Sequence, residues 1–255
     1  MLRFSANLGF LWTELALPDA IRRARGAGFE AVECHWPYDV DPDAVRAALE
    51  ETGLPMLGLN TRRGRPGIDN GLAALPGREA EARAAIDEAF AYGARIGARR
   101  VHVMAGKAFG VAGARKTFET NLAHACDVAA RHAMGVLIEP LNHRDAPDYF
   151  LIGLAMAADI VARLARPELS IMFDCYHLQI TGGDLAESFR SHREMIGHVQ
   201  IAAVPSRAEP DGGEVAYDRL LPMFEVAGYD GFVGAEYRPA TTTDAGLGWM
   251  AAYRP

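Results

Sequence analysis

Val136-Leu-Ile-Glu139 is a short apolar run closed by a carboxylate, and the pattern returns in Ile171-Met-Phe-Asp174, His198-Val-Gln200 and Val233-Gly-Ala-Glu236. The closing residues follow one another at intervals of 35, 26 and 36 positions, each about the length of one strand, one helix and two loops. Strands alternating with helices predict a parallel sheet with covering helices. In a (β/α)₈ TIM barrel, an α/β fold, the C-terminal ends of the strands converge on one mouth, where active sites sit. The same spacing therefore places Glu139, Asp174, Gln200 and Glu236 at one end of such a barrel. Three carboxylates and an amide oxygen form a hard-cation site, suited to Mg²⁺ or Mn²⁺ rather than zinc.

The alternation extends outward along the chain. Strands are predicted near 3–8, 30–35, 55–60, 100–105, 135–140, 170–175, 197–202 and 231–236. Helices are predicted near 18–27, 41–52, 77–97, 114–133, 151–165, 183–193 and 216–227. Asp41-Pro42-Asp43 offers an N-cap followed by proline at the first helical position. The helix of 77–97 is rich in Ala, Glu and Arg and stops at Gly97. No GxGxxG follows the first strand, which disfavours an open dinucleotide-binding sheet. The longest irregular stretches, Thr61–Pro76, Asn142–Phe150 and Val204–Val215, all follow predicted strands. Loops of that length are often lids or binding loops, and these three would rise over one mouth.

The bulk properties agree. The 255 residues match a single barrel domain spanning 1–255, and half of them are hydrophobic, enough for a large core. A net charge of −7 argues against a nucleic-acid surface. No run approaches the ~20 apolar residues that span a bilayer, and the opening residues carry no signal-peptide pattern. Cys34, Cys126 and Cys175 are odd in number, distant and without a CxxC pair, as expected of reduced thiols in a cytoplasmic protein.

Glu139 and Glu236 are the sharpest catalytic pair. Three strand steps separate the fifth and eighth strands, so the two carboxylates can face each other across the mouth, one removing a proton and the other returning it. Either could instead be a strand-end charge paired with arginine, but four ligand-type residues at one level make that reading poor. His177, one turn into the loop after Asp174, could bind a substrate oxygen or orient a neighbour. Gln200, inside a strand, needs a polar partner in any reading. Arg207 is the best candidate for a carboxylate clamp, because guanidinium matches carboxylate in a two-bond geometry. Lys107 is the second choice, ahead of His143 and Arg144. His102 and Glu33 are inward-facing but carry no assigned role. There is no Gly-x-Ser-x-Gly elbow, no Walker loop and no EF-hand spacing.

Seven segments together resemble the hydroxypyruvate isomerase family. They are Met1-Leu-Arg-Phe-Ser-Ala-Asn7, Glu139-Pro-Leu-Asn-His143, Asp174-Cys-Tyr-His177, Ile196-Gly-His-Val-Gln-Ile-Ala202, Glu209-Pro-Asp-Gly-Gly-Glu214, Glu236-Tyr-Arg-Pro239 and Thr241-Thr-Thr-Asp-Ala-Gly-Leu-Gly-Trp-Met250. The resemblance covers essentially the whole chain. It implies the xylose-isomerase-like TIM barrel and the conversion of hydroxypyruvate to 2-hydroxy-3-oxopropanoate (tartronate semialdehyde). It places the catalytic pair on Glu139 and Glu236, the divalent-metal ligands on Glu139, Asp174, Gln200 and Glu236, and substrate contacts on His177 and Arg207. Close relatives include 2-oxo-tetronate isomerases. Ser206 stands where much of the family has histidine, Asp148 where glycine is expected, and Trp12 where a smaller residue is expected.

Three rival readings remain at this level. A keto-sugar epimerase would use the same four ligands. A metal-dependent nuclease of the wider superfamily would need more histidine ligands and a basic groove. A sugar-acid binding protein would not need a facing acid–base pair. The expected partner is a small hydroxy-keto acid, with no nucleic acid or membrane. Self-association is compatible with the sequence, with Trp249 and Tyr253 as contact candidates.

Overall fold

The computed structural model describes residues 2–253; Met1 of the opening motif and residues 254 and 255 lie outside the described residues. Eight parallel strands carry the fold: β1 (Arg3–Asn7), β2 (Ala31–Glu33), β3 (Gly58–Asn60), β4 (Arg100–His102), β5 (Gly135–Ile138), β6 (Leu169–Asp174), β7 (Ile196–Ile201) and β8 (Phe232–Ala235). They lie side by side in the order β2-β1-β8-β7-β6-β5-β4-β3. The circle closes between β2 and β3 through Leu57 N donating to Val32 O (2.7 Å) and Cys34 N donating to Gly58 O (3.0 Å). The first strand is also held by the last: Arg3 is in register with Phe232, and Ala6 with Ala235. The expected (β/α)₈ barrel is the observed fold.

The helices cover the outside: α1 (Leu17–Gly26), α2 (Pro42–Thr52), α3 (Glu79–Ile96), α4 (Ala114–His132), α5 (Leu154–Leu164), α6 (Cys175–Thr181), α7 (Leu185–His192) and α8 (Tyr217–Val226). Helix α2 starts as the sequence suggests, with the Asp41 side chain accepting from Asp43 N at 3.1 Å. Its C-cap, Gly53, takes the left-handed φ of 69° that glycine tolerates without Cβ strain. The helices bury apolar stripes against the strands. Under α7 and α8, Phe189 stacks on Phe224 at 3.9 Å and meets the ring of Phe173 edge-on at 5.4 Å.

Two expectations need correction. The segment after Asp174 is not a loop: α6 begins at once, because the Asp174 carboxylate accepts from Tyr176 N at 2.8 Å and caps the helix. Trp249 is not available for a subunit contact. It lies in a 3₁₀ stretch, Asp244–Tyr253, and is buried, with its ring edge-on to Phe4 at 5.1 Å and its Nε1 donating to Tyr237 OH at 3.2 Å. Tyr253 packs on Phe4 in the same cluster. Among the described residues no helix is long and apolar enough to cross a membrane.

Candidate active site

A cavity of about 310 Å³ opens at the C-terminal ends of the strands, within the size range of small-molecule sites. Every strand sends residues to its wall: Phe10 from beyond β1, His35 and Trp36 from beyond β2, Arg63 and Asn70 from the loop after β3, and His102 from β4. Glu139 and Asp145 follow β5, His177 lies on α6 after β6, Arg207 follows β7, and Glu236 and Arg238 follow β8. Asp174 and Gln200 are in register with each other on β6 and β7 and are almost wholly buried.

Glu236 is the most heavily held carboxylate. Its Oε1 accepts from Asn7 Nδ2 at 3.0 Å and lies 3.2 Å from His35 Nε2, while its Oε2 accepts from Arg207 at 2.6 Å. Burial opposes its charge, but Arg207 and then His35 outweigh burial and hold the carboxyl below the usual carboxylate range. Glu139 is held far less. Burial first, then the charges of Glu236 and Asp174, push its carboxyl well above the ordinary value. The same causes, burial and then Glu236, raise Asp174 to about 8. Arg207 lies 3.6 Å from Asp174 and 3.5 Å from Asp145, wedged between the rings of Phe10 and Tyr176. Burial opposes its charge, yet the surrounding carboxylates raise its pKa above the ordinary arginine value.

The atoms left without partners fit a cation. Glu139 Oε1, Asp174 Oδ2 and Gln200 Oε1 are buried and accept no hydrogen bond, although buried polar atoms are normally paired. Four carboxylates, those of Glu139, Asp145, Asp174 and Glu236, surround the guanidinium of Arg207, so a divalent cation would offset part of the excess negative charge. Among the described residues, Glu139, Asp174 and His177 offer ligand atoms within 4.8 Å of one another.

His177 has a defined tautomer. Its Nδ1 lies 2.9 Å from Asn142 N and 2.8 Å from Asn142 Nδ2. The Asn142 amide cannot be turned round, because its Oδ1 accepts from the backbone N of Arg144 and of Asp145. Both groups facing Nδ1 are therefore donors, and Nδ1 must accept. Burial first, and then Arg207, lower the ring's pKa to about 3, so it is neutral. The proton then sits on Nε2, 3.6 Å from Asp174 Oδ2 and 3.9 Å from Glu139 Oε1. A protonated nitrogen cannot ligate a metal, but it can donate to a substrate oxygen.

The structure thus brings Glu139, Asp174, His177, Gln200, Arg207 and Glu236 together. Lys107 stands apart: it does not line the cavity, and its Nζ reaches Gly67 O at 3.4 Å in the loop after β3. His143 and Arg144 are exposed and also lie outside the lining. Sequence reasoning missed Asn7, His35, Arg63, Asn142 and Arg238. The signal for the first two was present, since both sit at the mouth ends of β1 and β2. Arg63 lies over the Trp36 ring at 4.0 Å. Neither Arg63 nor Arg238 forms a carboxylate pair among the described residues.

The fold and the acidic mouth define a xylose-isomerase-like TIM barrel, and a family model of that description matches residues 21–253. The 2-oxo-tetronate isomerase of Cupriavidus necator is 43% identical over 99% of this chain and 99% of its own length. The hydroxypyruvate isomerase of Escherichia coli is 36% identical, with 100% of both chains covered. A crystal structure of an AP endonuclease, family 2, from Brucella melitensis superposes with a TM-score of 0.96 at 39% identity over 100% of both chains. Within these barrels, the chain belongs to the hydroxypyruvate isomerase family.

Proposed function

We propose that this isomerase interconverts hydroxypyruvate and 2-hydroxy-3-oxopropanoate by moving a proton between adjacent carbons. The observation that carries the reading is the pairing of Glu139 and Glu236, two buried carboxylates on one cavity, above oxygen donors that have no partner. One glutamate takes the proton from C3 of hydroxypyruvate, giving an enediolate; the hydroxyl proton passes from the C3 oxygen to the C2 oxygen and a proton is delivered to C2, leaving C3 as the aldehyde. Glu139, Asp174, Gln200 and Glu236 would hold a divalent cation, Mg²⁺ or Mn²⁺. Such a cation supplies charge stabilisation for the oxyanion that develops during proton transfer. Both partners on Oε1 of Glu236, Asn7 and His35, occupy that oxygen, whereas Oε2 accepts from Arg207 alone and keeps a second lone pair for ligation. Arg207 is proposed to receive the substrate carboxylate, and His177 Nε2–H to donate to a substrate oxygen. Holding both ends fixes the reacting carbons between the acids.

The test is isomerisation in D₂O without any redox cofactor. Product formed from hydroxypyruvate should carry deuterium at C2 where the acid exchanges with solvent. An absolute requirement for a nicotinamide or flavin would end this reading. A second reading, isomerisation of a 2-oxo-tetronate, is favoured by the 43% identity to the Cupriavidus enzyme. It uses the same residues, and the ratio of kcat/KM for the two substrates decides between them.

A further inference from the structure

Beneath Gln200 the barrel interior holds a second polar group that the proton transfer does not use. Glu33, on β2, is buried and has three partners. Its Oε1 accepts from Ser5 Oγ at 2.8 Å, and its Oε2 accepts from Gln200 Nε2 at 2.7 Å. His198 Nε2 lies 3.1 Å from both oxygens. The end of the Gln200 amide turned toward Glu33 is therefore the NH₂, which donates to it. The other end of the amide, Oε1, is then turned away from Glu33 and is left buried without a partner. Space for this arrangement comes from Gly234 on β8. A Cβ there would lie 2.3 Å from Glu33 Oε1, 2.9 Å from Gln200 Cγ and 3.0 Å from His198 Nε2. The interior cavity that Glu33, His198 and Gln200 help to line is only about 10 Å³, so the network is closely packed.

We propose that Glu33 is a positioning residue that fixes the Gln200 amide with its oxygen toward the cation-binding cluster, and that Gly234 is required because any side chain there would displace it. The inference rests on the reading of Gln200 as a cation ligand. Free rotation of an amide presents NH₂ as readily as oxygen, and an NH₂ cannot ligate a cation. Locking the amide therefore raises affinity without adding a ligand. Partners of this kind are typically worth 10–100-fold in metal affinity.

The experiment is a double-mutant cycle read by Mn²⁺ affinity, measured by calorimetry or by the electron paramagnetic resonance of free Mn²⁺. Melting of each cation-free variant checks that it folds. Glu33→Leu should weaken Mn²⁺ binding roughly 10–100-fold in the wild-type background and should add no further loss to Gln200→Leu. Equal losses in both backgrounds, or none in either, would overturn the proposal. Should Glu33→Leu not fold, Gly234→Ala is read by the same criteria, since it displaces the network without removing a polar group. Gln200→Leu with wild-type Mn²⁺ affinity would remove Gln200 from the ligand set and the inference with it. Weak binding by Gln200→Leu beside full affinity in Glu33→Leu would sink the positioning role alone.

Discussion

Single side chains decide whether this site performs chemistry or only binds. Glu139→Gln and Glu236→Gln should each lower turnover of hydroxypyruvate by about 10²–10⁴-fold, the usual worth of a positioned acid or base. Bound metal must be measured beside the rate. A Gln variant that keeps near-normal turnover with metal bound would reduce that glutamate to a ligand. Arg207→Ala should raise KM by roughly 10–100-fold, as expected from one lost charge-assisted contact. Since Arg207 also holds Glu236 at 2.6 Å, kcat should fall as well. An unchanged KM would move the clamp to Arg63 or Arg238. At this scale, the gathering of the candidate site residues at one mouth was legible in the sequence. The four residues closing apolar runs share one end of the barrel because strand period and helix length repeat. Asn142 was hidden for a physical reason: it acts through His177, 35 positions away, and no local spacing encodes such a contact. Asp148 is an instructive departure. It adopts a left-handed φ of 64°, which explains the expected glycine, and aspartate tolerates that conformation better than most residues do.

Among the elements, the loop after β3 has the most distinctive construction. Asp69 accepts from Arg65 N at 2.7 Å and pairs with the guanidinium groups of Arg65 and Arg78. Its carbonyl accepts from Lys107 N, and Gly71 lies so close to Gly106 that a Cβ on Gly106 would stand 2.4 Å from Gly71 O. Arg65, then Arg78, hold the Asp69 carboxyl far below the usual carboxylate range. Its folded pKa is thus depressed relative to the unfolded value of about 3.9. The stabilisation is fully present above the unfolded value and is lost progressively as pH falls from there through the lower folded one. The difference in melting temperature between wild type and Asp69→Asn should accordingly be full at neutral pH and shrink between about pH 5 and pH 2. A difference that holds constant over that range would show that Asp69 acts by shape alone. The helix after β6 shows where element-level reading fails. Asp174 ends a strand, caps a helix and faces the site, and the sequence pattern reveals the first and the last of these but not the cap.

For the whole molecule, the concentration of buried carboxylate makes ligand binding and stability one measurement. A group that binds the folded state alone stabilises it by about 2.7 kcal/mol at a hundredfold excess over Kd. For a chain of this size that corresponds to a rise of roughly 5–10 °C in Tm. Mn²⁺ or Mg²⁺ should give such a rise in wild type and a smaller one in Asp174→Asn, and a chelator should reverse it. No shift with either ion would count against the cation site as drawn.

The seam between β1 and β8 has a consequence for the newborn chain. Asn7 and Glu236, which meet across that seam in the site itself, are 229 positions apart. During synthesis β1 leaves the ribosome first and must wait, one edge unsatisfied, until its last neighbour has been made. Helix-to-strand packing in the middle of the chain can proceed meanwhile, since domains assemble as the chain emerges. Glu236 and its cage of Asn7, His35 and Arg207 come together only when the ring is joined. A nascent chain halted before Phe232 would hold seven strands but lack Glu236 and the wall that β8 supplies.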